Sequence, residues 1–328
     1  MRKKPPLINL TLEITNRCNL RCLACGIWKE DPKKELSFKK LSAFLNSVCA
    51  KHRLDFVSLT GGEPFLHPQI DQIYRKLYLM KRGGQLRNIG IYSNGFDTSR
   101  ITAFLKRNLR ITHGLVLGVS LDGIGKTHNY LRGKDNAYKR SMKSIDKAVS
   151  LLPRINLEIK STVTPANYKQ LKQLYLLCRK RGFTFLPKFA ETRSYFYYNR
   201  AKNSAYPFAQ FSAEQKKELL KVLRWILAVE KKAGSRVIDP RIIRTLIISL
   251  KQGSVNPGRC LAPLGSLFIT SSGGIHPCLY KKPIANINSN TRKSGIFGKT
   301  HIRLIKEALL GNCPGCGAYH GYLKNINL

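Results

Sequence analysis

Three cysteines, Cys18, Cys22 and Cys25, stand in the run Arg17-Cys18-Asn19-Leu20-Arg21-Cys22-Leu23-Ala24-Cys25, with the spacing C-x3-C-x2-C. Three thiolates on one short segment can bind three irons of a cubane cluster and leave the fourth iron without a protein ligand. An open coordination position is where a small molecule can bind and react. A structural zinc site wants four ligands, and no fourth Cys or His lies near the triplet. Four further cysteines, Cys260, Cys278, Cys313 and Cys316, occupy the last quarter of the chain. Four thiolates would close a second cluster, suiting it to electron transfer or to shaping a site; a structural zinc is the alternative. The remaining two, Cys49 and Cys178, fall on apolar helical faces and read as core.

The elements that must position these groups follow from periodicity. Ile8, Leu10, Leu12 and Ile14 alternate with polar residues and predict a strand ending just before the cysteines. Ser37 caps a predicted helix with Phe38, Leu41, Leu45 and Val48 on one side. Phe56–Leu59 predicts a second strand, and Pro68 is expected at the first position of a helix carrying Ile70, Ile73, Leu77 and Met80. The cycle repeats with strands at 89–92, 115–120, 157–162 and 183–189 and helices near 97–109, 136–151 and 167–181. Six βα repeats imply parallel strands with right-handed crossovers, an α/β fold forming a partial (β/α)6 barrel with its site at the C-terminal strand ends. Those ends carry Cys18–Cys25, Gly61-Gly62-Glu63-Pro64, Ser93-Asn94-Gly95, Ser120-Leu121-Asp122-Gly123 and Lys160-Ser161-Thr162. Beyond residue 200, a capping box at Ser212–Gln215 opens a helix to about Lys232, and a second helical stretch covers about 240–252. Leu267–Thr270 and Ile275–Tyr280 around Ser271-Ser272-Gly273-Gly274 read as a β-hairpin.

The cysteine triplet after a first strand, with Gly61-Gly62-Glu63-Pro64 after the second, resembles the radical S-adenosylmethionine (SAM) superfamily. The resemblance covers about residues 8–190 and implies a TIM-like partial barrel. It assigns Cys18, Cys22 and Cys25 to a SAM-binding 4Fe-4S cluster, with reductive cleavage of SAM to a 5′-deoxyadenosyl radical that abstracts hydrogen. It assigns Gly61, Gly62, Glu63 and Pro64 to the SAM amino group, and Ser93 and Asn94 to the pocket wall. Ser120 and Asp122 are assigned to the ribose or methionyl end, and Arg132 to the methionyl carboxylate, a role for which Lys160 competes. On residues alone, Gly61–Pro64 and Ser93–Gly95 are also ordinary turns, and Glu63 could fix its neighbouring turn instead. The sequence departs from the family at Ala24, where an aromatic or Met is usual. Cys260-x12-Gly273-x4-Cys278 resembles the opening of a SPASM domain, and the shorter cysteine set implies its single-cluster Twitch form. The expected division is a core barrel over 1–200, a helical linker over 201–256 and a small Cys-rich auxiliary 4Fe-4S domain over 257–328.

Composition sets the remaining bounds. Fifty-eight Lys+Arg against 18 Asp+Glu give a net charge of +40, a field that concentrates anions and acidic proteins. The expected partners are an acidic electron donor such as a flavodoxin or ferredoxin, and a peptide or small-molecule substrate that is oxidised or gains a bond. RNA modification is the rival enzyme reading, although the basic pairs are scattered and no RNA-binding module is recognisable. A non-catalytic iron–sulfur electron carrier is the rival from another class. No apolar run is long enough to span a bilayer, and the residues after Met1–Pro6 do not form a signal peptide's apolar region, so the expected location is cytoplasmic, with no membrane partner.

Overall fold

The computed structural model describes residues 8–190, 210–234, 237–252, 262–278, 281–288, 296 and 298–309. Alternation decides the two faces of every strand in the barrel. In β1 (Ile8–Thr15), Leu10, Leu12 and Ile14 are buried toward the helices, while Asn9, Thr11 and Glu13 share the other face. The same division recurs through β2 (Leu54–Gly61), β3 (Leu86–Ser93), β4 (Leu115–Ser120), β5 (Asn156–Val163) and β6 (Thr184–Phe189). Each of these six strands pairs in parallel with the next, and β6 does not pair with β1, so the barrel is open between them.

Between the strands run α1 (Phe38–Cys49), α2 (Ile70–Arg82), α3 (Thr98–Arg107), α4 (Lys126–Arg132), α5 (Ala137–Leu151) and α6 (Leu171–Arg181). Their apolar stripes cover the outer sheet face: Leu41, Leu45 and Val48 of α1 and Ile73, Leu77 and Met80 of α2 join Leu12, Leu59 and Ile91 in one core. Ser37 caps α1 by accepting from Lys40 N, as its sequence predicts. Pro68, in contrast, lies in the turn before α2, which starts at Ile70 with Gln69 as N-cap. The short α4 has too few apolar positions for periodicity to expose it.

The capping box at Ser212 and Gln215 is fully formed and starts α7 (Ala213–Ala233), followed by α8 (Pro240–Gln252). After α9 (Ala262–Gly265), the hairpin of β7 (Ser266–Ile269) and β8 (Gly274–His276) forms as expected, with β9 (Ala285–Asn286) beside it. One feature is additional: β7 pairs in parallel with β1, with Leu12 opposite Ile269, so the hairpin extends the barrel sheet at the β1 edge. The last described helix is α10 (Lys299–Leu309). Among the described residues no helix is long and apolar enough to cross a membrane.

Candidate functional site

The cysteine segment leaves β1 at the C-terminal end of the sheet and is tied down from three sides. Gly62 N donates to Thr15 O (2.9 Å) and Glu63 N to Arg17 O (2.8 Å), which anchors its start to the end of β2. Arg21 N donates to Arg132 O (3.3 Å) and Leu23 N to Leu131 O (3.0 Å), which pairs its middle with the end of α4. Asn94 Nδ2 donates to Asn19 Oδ1 (2.8 Å), a link from the end of β3. Arg21 folds its guanidinium back onto the carbonyls of Cys18 (3.1 Å) and Leu20 (3.0 Å). The loop that carries the thiols is therefore held by the ends of β2, β3 and α4.

Gly61 and Gly62 serve this contact directly. A Cβ on Gly61 would strike the Thr15 carbonyl, and one on Gly62 would meet the Arg17 carbonyl group and lie 2.8 Å from Asn16 O. Gly133, after α4, faces the Arg21 carbonyl in the same way. These glycines let backbone meet backbone; close approach to a ligand is not needed to explain them.

Glu63 is almost fully buried and uses both carboxylate oxygens. Oε1 accepts from Ser93 Oγ (2.9 Å) and Phe65 N (3.3 Å), and Oε2 accepts from Asn94 N (2.8 Å). Burial raises its pKa to about 7 against these hydrogen bonds. Ser93 Oγ in turn accepts from Gly95 N (2.9 Å), and Pro64 opens the short turn that follows. Glu63, Ser93 and Asn94 thus form one buried strut between the ends of β2 and β3.

Asp122 and Arg132 form a second strut, between β4 and α4. Their ion pair is 2.8 Å long, with side-chain exposures of 10% and 12%, buried enough that losing either partner strands the other charge. Asp122 Oδ1 also accepts from Thr162 N (2.8 Å), and Asp122 N donates to His128 Nδ1 (3.0 Å). Burial, with Arg132 nearby, drives His128 down to about 2, so it stays neutral and can accept. Burial opposes the Arg132 charge, but Asp122 and Cys22 outweigh it and hold the guanidinium above its ordinary range. Ser120, at the end of β4, is half-buried and opposite Lys160 of β5.

The donor set fits a cluster. Arg132 Nη1 lies 3.7 Å from Cys22 Sγ, which puts a guanidinium against the cysteine loop. Burial pushes the Cys18 thiol up to about 11 and Cys25 up to about 12, so both need bound metal to ionise at neutral pH. No three His, Cys, Asp or Glu among the described residues converge as ligands of one metal ion. A cubane makes no such demand, since each cysteine binds a different iron. Of the second cysteine set, Cys278 follows β8 in the hairpin region, whereas Cys260, Cys313 and Cys316 lie outside the described residues.

Glu13 is the residue that sequence reading passed over. Its alternation with Leu12 and Ile14 marks it as inward-facing, five residues before Cys18. It is 1% exposed; Oε1 accepts from Ser271 N (3.1 Å), and Oε2 has no hydrogen-bond partner among the described residues. Burial raises its pKa from 4.5 to about 7. Between those values the folded protein keeps a proton that the unfolded chain releases, so this group's penalty grows as pH rises and is complete above about 7. Glu13→Gln mimics the protonated side chain. Its melting temperature should match wild type near pH 4 and exceed it near pH 8, an advantage of roughly 3 kcal/mol from about 1.4 kcal/mol per unit. A pH-independent difference would show that Glu13 is already ionised in the fold.

The Radical SAM superfamily profile matches residues 12–178, half of the chain, and the chain belongs to that superfamily. Members of the superfamily use a 4Fe-4S cluster and SAM. The sporulation killing factor maturation protein SkfB of Bacillus subtilis (strain 168) is 26% identical over 176 residues, 53% of this chain and 40% of that protein. The AdoMet-dependent heme synthase of Methanosarcina barkeri (strain Fusaro / DSM 804) is 24% identical over 336 residues, 96% of this chain and 89% of that protein. Among solved structures, native anSMEcpe with bound AdoMet and the Cp18Cys peptide shares the fold at TM-score 0.67 and 19% identity, over 93% of this chain and 84% of that one. The chain spans less than half the length of the first curated relatives it matches.

Proposed function

We propose that the chain holds a 4Fe-4S cluster on Cys18, Cys22 and Cys25, cleaves SAM reductively, and abstracts hydrogen from a peptide to oxidise it or form a new bond. The observation that carries this is the single cysteine loop clamped by Gly62 and Asn94, from the ends of β2 and β3, and by Arg132 at the end of α4. When bound, the cluster supplies the electron that splits SAM into methionine and a 5′-deoxyadenosyl radical. The chain's own residues hold the loop and shape the SAM pocket: Gly61–Pro64, Ser93 and Asn94 on one side, Ser120, Asp122 and Arg132 on the other. Cys260, Cys278, Cys313 and Cys316 would hold the auxiliary cluster of a C-terminal unit starting near residue 257 and take up the electron left on substrate. A peptide substrate is supported by the name of SkfB and by the peptide bound in anSMEcpe. A small-molecule substrate is the second reading, favoured by an alignment with the heme synthase over nearly the whole of both chains.

An acidic flavodoxin or ferredoxin is the proposed electron donor. Exposed Arg17, Arg21 and Lys29 ring the cysteine loop and would attract it. A reducing cytoplasm suits such a partner and free thiols. Anaerobic reconstitution with iron, sulfide, SAM and dithionite should yield 5′-deoxyadenosine; none from iron-replete protein would remove the proposal. Iron counting on a Cys18/Cys22/Cys25→Ala variant should leave about four irons per chain in the second site. No remaining iron would assign the C-terminal cysteines to another metal.

A further inference from the structure

The lumen face of β5 carries charge that neither the cluster loop nor the two struts use. Leu157, Ile159 and Val163 point into the helix-facing core, which leaves Glu158, Lys160 and Thr162 on the inner face. On β3, Ile89 and Ile91 take the core side and Tyr92 the lumen side. Two glycines admit the aromatic rings there: a Cβ on Gly118 would enter the Tyr92 ring, and one on Gly90 would lie 2.7 Å from Phe56. The Lys160 ammonium rests 3.2 Å above the centroid of the Tyr92 ring. It has no ion pair or hydrogen bond among the described residues.

Around that ammonium the charges are unbalanced. Glu158 stands one inward position deeper on the same strand, outside ion-pair distance; its carboxylate accepts from the Tyr92 hydroxyl, and Oε2 has no partner among the described residues. Lys188, opposite Thr162 in the pairing of β5 with β6, adds a second ammonium on the mouth side, at the open edge of the barrel. Burial lowers Lys160 to about 8 against the attraction of Glu158, and the repulsion of Lys188 adds a smaller push the same way. An aromatic face stabilises a cation but does not neutralise it. An anion approaching from the mouth, above Lys160 and away from Glu158, would meet both ammonium groups.

We propose that Lys160, resting on Tyr92 and assisted by Lys188, is a substrate subsite that takes a carboxylate entering through the open side of the barrel. The inference deepens the proposed activity and rests on it: the substrate class becomes a carboxylate-bearing molecule or a peptide presenting an acidic side chain or its C-terminus. Ser120 faces Lys160 in the sheet register, so a carboxylate seated there would place its substrate beside the motif assigned to SAM. SAM itself carries a carboxylate and is the other source of the same chemistry.

The test separates the two sources and does not depend on turnover. Holoenzyme with SAM is titrated with glutarate and with neutral glutaramide by saturation-transfer NMR at about 0.15 M salt, where general attraction to a basic surface is screened. Wild type should prefer glutarate by about tenfold or more, equivalent to one decade in Kd. Lys160→Met should lose that preference while SAM binding, read by equilibrium dialysis, changes less than about twofold. Lys188→Met, an exposed change that leaves the core intact, should reduce the preference by about two- to threefold. Unchanged glutarate preference in both variants overturns the subsite. Joint loss of SAM and glutarate binding in Lys160→Met also overturns it and assigns Lys160 to the SAM carboxylate. If 5′-deoxyadenosine never forms but the glutarate preference is present and lost with Lys160, the proposed activity fails and the anion site stands.

Discussion

Gly62→Ala should cost the protein the cluster proposed on Cys18, Cys22 and Cys25, lowering iron by about four atoms per chain after reconstitution. The added Cβ would lie 2.7 Å from the Arg17 carbonyl carbon and 2.8 Å from Asn16 O, with the Arg17 oxygen nearer still. All three are backbone atoms of the segment that carries Cys18, so no side chain can swing aside. Either the cysteine loop lifts or the end of β2 does. Lifting the loop breaks the bonds from Gly62 N to Thr15 O and from Glu63 N to Arg17 O. Overpacking of this kind costs about 1–3 kcal/mol, enough to misplace thiols that must meet three irons together. Iron counting on the reconstituted protein measures the loss. If the glycines served only to admit SAM, Gly62→Ala would keep its full iron and lose SAM affinity alone. That outcome would sink the packing account.

The barrel was legible because each strand repeats one rule: apolar residues at period two, then a motif at its C-terminal end. The helix-facing row of β1 (Leu10, Leu12, Ile14) follows that rule throughout, and that of β5 (Leu157, Ile159, Val163) is broken only by the buried Ser161. α4 was not legible, since seven residues with Leu131 and His128 buried offer too little period. Nor was the seam of β7 against β1, because a parallel pairing between residues 9–12 and 266–269 leaves no local mark. The site was legible as a set of motifs and less so as a division of labour. Glu63 could be read as binding an ammonium or fixing a turn, and its three backbone and hydroxyl donors are visible only in the fold. Glu13 was hidden by the opposite cause: strand period explained its place so fully that its charge drew no notice.

Asp122→Ala should be among the most destabilising single changes in the barrel, by about 3–5 kcal/mol, because it leaves Arg132 charged and buried without a partner. The two side chains meet at 2.8 Å, and Asp122 also holds Thr162 N at 2.8 Å. Arg132 cannot escape by losing its proton, and its backbone is pinned to Arg21 through the bond at 3.3 Å. The damage therefore reaches the cysteine loop, and the Nη1 contact with Cys22 loosens with it. Removing both charges tests the cause. In Asp122→Ala/Arg132→Met the stranded cation is gone, so the pair should recover part of the melting temperature lost in the single variant, a coupling of at least about 1 kcal/mol. Cluster content need not recover, since Met cannot donate to the Cys22 sulfur. Additive losses would mean that the two residues act separately. An Asp122→Ala protein that melts like wild type but binds SAM tenfold more weakly would move Asp122 from the scaffold to the ligand. The hydrogen bonds favour the scaffold: both carboxylate oxygens are already engaged, one by an amide of β5 and one by the guanidinium that steadies Cys22.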